Sequence, residues 1–91
     1  MSPRARRSVR IGSDLGIHLR AAGAIVQQAG HFEAEIWIEH HGVRANGKSI
    51  MSVLSLAAGK GAELILSAEG TDAEAAVAAL ARLVESGFML S

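Results

Sequence analysis

The chain has 91 residues, room for one domain that buries about 60–65% of its unfolded surface. Nine Lys and Arg balance nine Asp and Glu, so the formally neutral chain carries no large electrostatic footprint for nucleic acid. The absence of cysteine excludes disulfides, zinc–thiolate sites and thiol catalysis, and no apolar run approaches the roughly 20 residues of a membrane span.

The start, Met-Ser-Pro-Arg-Ala-Arg-Arg, is basic but leads into no apolar segment of the secretory-signal kind. Residues 1–7 therefore read as a disordered basic extension, residues 8–91 as the folded domain, and the cytoplasm as its location. Val9 and Ile11 alternate with Ser8 and Arg10, the pattern of a short strand with one buried face. Gly12 to Gly16 reads as a turn. A helix follows over Leu19 to Ala29, with Ala22, Ile25, Val26 and Ala29 as its core stripe and Gly30 at its end.

Ala34, Ile36 and Ile38 alternate with Glu35, Trp37 and Glu39, the mark of an antiparallel sheet covered on one side. Trp37 falls on the wet face, where cross-strand neighbours shelter such a ring. His40-His41-Gly42 is a hairpin turn, and Val43 to Ala45 begins the return strand. Adjacent histidines on extended chain point to opposite faces, which makes them poor joint metal ligands. After the turn Asn46-Gly47-Lys48, Ser49 stands where it can cap a short helix over Ile50 to Leu56, with Val53 and Leu56 facing inward. Leu64, Leu66 and Ala68 mark a fourth strand. Thr71 and Glu74 form a capping-box pattern for the last helix, whose stripe is Ala76, Val77, Leu80, Leu83 and Val84, extended by Phe88. One-sided strands need helices on the same face, so the fold class is α+β: an open-faced β-sandwich, βαββαβα, with three helices over a four-stranded antiparallel sheet.

Two constellations carry candidate chemistry. Gly42-Val-Arg-Ala-Asn-Gly47-Lys48-Ser49 matches the phosphate-binding loop G-x-x-x-x-G-K-[ST], which would make a nucleotide-binding protein. Against it stand the one-sided polar strand before it, the short helix after it, and the lack of a later strand ending in a magnesium-binding aspartate. The other constellation is His18, placed between a polar turn and a helix, with Arg20 two residues on. The first N–H groups of a helix have no partner inside it, and the macrodipole puts partial positive charge there. An anion, phosphate above all, is favoured at that point, and a guanidinium suits its oxygens. A neutral imidazole is also a nucleophile, so His18 is a candidate carrier of a phosphoryl group. The plainer reading of such a residue is a helix cap.

Gly16-Ile17-His18-x-Arg20, followed by Lys48-Ser49-Ile50-Met51 and Leu54-Ser55-Leu56, resembles the HPr family, the histidine-containing phosphocarriers of the bacterial phosphoenolpyruvate-dependent phosphotransferase system. The resemblance runs from about Val9 to Phe88. It implies the same open-faced sandwich, with His18 phosphorylated on Nδ1 and Arg20 holding the phosphohistidine. It implies that Ser49 is the regulatory site of HPr kinase/phosphorylase, and that Ile50, Met51 and Leu54 dock on partners. Leu19, bulkier than the small residue usual there, is expected to adjust partner choice, and Gly23 to permit the close approach of a partner. The implied donor is phosphorylated enzyme I and the acceptor an enzyme IIA domain, in a sugar-uptake or nitrogen-linked branch. No cofactor, metal, nucleic acid or membrane insertion is implied, and the protein is expected to act as a monomer, a substrate of transferases more than an enzyme in its own right. The chain departs from the family at Ala21, where proline is usual. Alanine keeps an N–H that proline lacks.

Overall fold

The computed structural model describes residues 2–88. In chain order it holds β1 (Arg4–Arg10), α1 (Leu19–Ala29), β2 (Glu35–His40), β3 (Val43–Asn46), α2 (Ile50–Leu54), β4 (Glu63–Glu69) and α3 (Ala73–Glu85). The strands form one antiparallel sheet in the order β1-β4-β2-β3. The alternation seen in the sequence sets the layers. Val9, Ile36, Ile38, Leu64 and Leu66 are buried on one face together with Ile25 of α1, Val53 of α2, and Leu80 and Val84 of α3. Each fully buried Leu or Ile contributes about 1.5–3 kcal/mol of transfer free energy. The other face stays open. Trp37 there pairs with Ser67 and Asn46, and the Arg44 guanidinium lies 4.3 Å from the ring centroid. Trp37 is thus half-buried by its strand neighbours.

Four local expectations change. The basic start is not frayed through Arg7: β1 begins at Arg4, because the seven-residue β4 offers a ladder from Glu69, opposite Arg4, to Glu63, opposite Arg10. Pro3 adds its carbonyl as acceptor for the Gly70 N–H at 2.9 Å. Of the segment 8–91 assigned to the domain, residues 89–91 lie outside the described residues. Within α1, Ala22, Ile25 and Ala29 are buried as expected, but Val26 is half-buried and Ala21 and Ala24 take up the inner face.

The capping box on α3 does not form. Its N-cap is Asp72, with no side-chain capping bond. The Asp72 carboxylate instead accepts the N–H groups of Glu33 at 2.8 Å and Ala34 at 2.9 Å, tying α3 to the start of β2. Those N–H groups, that of Glu33 first, hold the carboxyl below its ordinary value. Finally, the two histidines do not part. His41 (φ 50°) and Gly42 (φ 79°) form a two-residue hairpin turn with both residues left-handed. That bend stacks the His40 and His41 rings at 4.0 Å, 20° apart.

Candidate functional site

The loop before α1 is built to deliver His18. Gly16 adopts φ +70°, and a Cβ there would meet the Ala58 carbonyl oxygen at 2.5 Å, so only glycine lets the loop approach the segment between α2 and β4. The next residue locks that approach: the Ile17 N–H donates to the Ala58 carbonyl at 2.9 Å. At the other end of the loop the Leu15 N–H donates to Ser13 Oγ at 3.1 Å. His18 then takes extended backbone angles (φ −114°, ψ −178°) and becomes the N-cap of α1, its carbonyl accepting the first helical bond from the Ala22 N–H at 2.8 Å.

The His18 side chain caps the helix as well. Nδ1 accepts the Ala21 N–H at 3.4 Å. The capping reading and the nucleophile reading of His18 therefore fall on the same atom. A nitrogen that accepts a hydrogen bond carries its lone pair outward, so the neutral ring holds its proton on Nε2. Ala21, expected to keep a spare N–H, spends it on this bond.

The electrostatics favour an anion at this end of the helix. No acidic residue stands in the first turn of α1, whereas Arg20 does, exposed, in its second position. A cation beside the positive end of the macrodipole is the reverse of the usual helix pattern and costs a few tenths of a kcal/mol, recovered when an anion binds. The helix offers no internal partner for the N–H groups of Leu19 and Arg20. His18, Arg20, Ala21 and Gly23 line one shallow groove with Leu15 and Phe88. Gly23 faces open space, with no atom within 4 Å of where a Cβ would stand.

The second motif folds into a separate cap. Ser49 is the N-cap of α2, and its Oγ accepts the Ser52 N–H at 3.3 Å. Ser52 Oγ accepts the Asn46 N–H at 2.9 Å, fastening β3 to the helix. α2 stops at Leu54, two residues short of the expected end, but residues 50–56 divide as their sequence suggests: Val53 and Leu56 are buried, Leu54 is half-buried, and Ile50 and Met51 are 40% and 76% exposed. Two further large apolar side chains are exposed beside His18 in the sequence, Leu15 at 76% and Leu19 at 67%. Sequence reasoning passed over Leu15, although a leucine inside a polar turn, between Asp14 and Gly16, is a signal that something other than the core uses it.

Gly42 to Ser49 does not form a phosphate-binding loop. It spans the hairpin turn, the edge strand β3 and the turn into a five-residue helix. Gly47 packs against Ile36, and Lys48 Nζ donates to the Phe32 carbonyl at 2.6 Å rather than to the mouth of a nucleotide site.

The family model described as "PTS HPr component phosphorylation site" matches residues 5–86. The chain belongs to the HPr family. The HPr of Treponema pallidum is 43% identical over 82 residues, which cover 90% of this chain and 93% of the relative. The HPr of Bacillus anthracis superposes with a TM-score of 0.85 at 41% identity, covering 89% of this chain and 96% of that one. An HPr structure from Thermoanaerobacter tengcongensis gives 0.89 at 39% identity, covering 96% and 98%. The chain is thus an HPr phosphocarrier protein of the phosphotransferase system, and the nucleotide-binding alternative falls away with its loop. The open-faced sandwich inferred from strand alternation is the HPr fold. No helix of the described residues is long and apolar enough to cross a membrane.

Proposed function

We propose that His18 is the phosphoryl-carrying residue, accepting the group on Nδ1 from phosphorylated enzyme I and passing it to an enzyme IIA domain in the cytoplasm. The observation that carries this reading is the Nδ1 lone pair held at the N-terminus of α1, beside Arg20 and with no acidic residue in the first turn. A phosphoramidate keeps a high transfer potential, so the carrier must support the group without trapping it. Helix N–H groups and one exposed guanidinium give that moderate support, each contributing on the order of 0.3–3 kcal/mol. Partners complete the site. The exposed Leu19, Ile50 and Met51, the half-buried Leu54 and the open position at Gly23 provide apolar contact for them.

Ser49 is the regulatory residue in this reading, phosphorylated by HPr kinase/phosphorylase. A phosphate on an N-cap is favourable for the helix it caps, yet it sets a dianion next to Ile50 and Met51, which a partner must desolvate. Phosphorylation therefore weakens docking while leaving the fold intact.

Intact mass after incubation with phosphoenolpyruvate and an active enzyme I tests the assignment. The wild-type chain gains one acid-labile phosphoryl group and His18→Ala gains none. A wild-type chain that stays unmodified, or a His18→Ala chain that gains the group, refutes it.

A further inference from the structure

We infer that the backbone N–H of Ala21 is a positioning group for phosphoryl transfer, holding Nδ1 of His18 before the reaction and a phosphoryl oxygen after it. The inference rests on the reading of His18 as the carrier, and it concerns a group that no side-chain motif reveals. Ala21 is the third residue of α1, and its N–H is among the helix-initial donors that have no partner within the helix. It points at Nδ1 of His18 at 3.4 Å. Ala21 is buried, so its amide has little access to water and depends on that acceptor.

In the resting chain the bond fixes two things. It sets the ring's rotation, and it selects the tautomer with the proton on Nε2, because a protonated Nδ1 would oppose the amide proton. That tautomer is the one ready to react. The Nδ1 lone pair forms the N–P bond, the bond between phosphorus and the donor breaks, and its electron pair leaves with the donor. No proton has to leave Nδ1. As the lone pair becomes the N–P bond, the Ala21 N–H loses its acceptor, and an oxygen on the phosphorus now bonded to Nδ1 is the nearest replacement. The N–H thus exchanges a weak neutral acceptor for a charged one, and charge-assisted bonds are about twice as strong. The exchange favours the phosphorylated carrier and slows spontaneous loss of the group.

The test uses the full chain, phosphorylated with phosphoenolpyruvate and enzyme I and then freed of both. Three changes at one position separate donor from packing. An amide-to-ester replacement at Ala21 deletes the N–H alone; Ala21→Pro deletes it within the first turn, where proline is tolerated; Ala21→Gly retains it. The expected result is loss of the phosphoryl group about tenfold faster in the ester and proline forms, the rate equivalent of one charge-assisted bond, and wild-type lifetime in Ala21→Gly. In wild type, the Ala21 amide proton shifts on phosphorylation, and ring ¹⁵N signals report Nε2–H before it. Should Ala21→Pro fail to fold, the ester form decides. A phosphohistidine that lives as long in the ester form as in wild type overturns the inference while leaving His18 as carrier. Absence of phosphate from His18 in the wild-type chain overturns instead the reading beneath it, before any Ala21 variant is made.

Discussion

The carboxylate of Asp72 accepts the backbone N–H of Ala34 at 2.9 Å, a bond between groups 38 residues apart in the chain. With the Glu33 N–H at 2.8 Å it clamps the start of β2 to the start of α3. Both bonds need the ionised carboxylate as a pure acceptor, so folding lowers the Asp72 pKa below its ordinary 3.8. The folded state binds this proton less readily than the unfolded state. The contribution is therefore fully present above pH 3.8 and is lost as pH falls below 3.8 through the depressed folded value. Urea midpoints of wild type and Asp72→Ala should differ by a constant amount at neutral pH, wild type being the more stable, and converge in that acid window. A gap that persists undiminished into the acid window would show that the carboxylate charge is not what matters.

Beside the carrier role proposed for it, His18 has a structural duty. Removing its ring deletes the Nδ1 cap on the Ala21 N–H. We expect His18→Ala to lose about 0.5–1 kcal/mol, the low end of N-cap deletions because 3.4 Å is a long bond. His18→Ser restores a capping oxygen, recovers that stability and carries no acid-labile phosphate. Thermal unfolding of the two variants beside wild type checks the order. Equal melting temperatures for His18→Ala and wild type would mean that the ring does not cap.

The two caps also show what a sequence can and cannot reveal. Strand alternation and helix stripes were legible because they are local: Ile36 and Ile38 face the core whatever surrounds them, and Ser49 caps the helix that starts one residue later. His18 was legible as a helix-start imidazole for the same reason. What the sequence hid was decided by distant chain. The extent of β1 depended on the length of β4, whose paired residues lie 53 to 65 positions away, so a basic start that looked solvated became paired strand. The capping box at Thr71 lost to Asp72, whose acceptors are spent on the two residues that lead into β2 rather than on α3. His40 and His41 came together because the left-handed pair His41 and Gly42 bends the chain, which alternation on an extended strand cannot anticipate. The extra N–H of Ala21 was legible as a departure from proline, but its acceptor, His18 Nδ1, was not.

Two apolar residues separate the fold from the proposed docking surface. Leu66 is fully buried under the helices, while Met51 on α2 is 76% exposed. Leu66→Ala should cost about 2–5 kcal/mol, the lost transfer energy plus the cavity it leaves. Met51→Ala should stay within about 0.5 kcal/mol of wild type. The Met51 variant should instead lower the rate of phosphorylation by enzyme I at limiting carrier concentration. Urea melts and initial rates on both variants check the division; a strong loss of stability in Met51→Ala would place that side chain in the core instead.

The open face of the sheet has its own probe. Trp37 is the only tryptophan in the chain, and Arg44 lies 4.3 Å from its ring centroid. Arg44 also sits opposite Glu39 across the β2–β3 pair, so its guanidinium is held over the ring from a short edge strand. A cation over a half-buried indole on an open sheet face contributes about 0.5–1 kcal/mol. Arg44→Ala should lose about that much and shift Trp37 emission to longer wavelength as the ring gains water. Arg44→Lys should recover only part of both effects, because an ammonium does not stack as a planar guanidinium does. Unchanged emission in Arg44→Ala would mean that Ser67 and Asn46, the strand neighbours of Trp37, shelter the ring without help from the arginine.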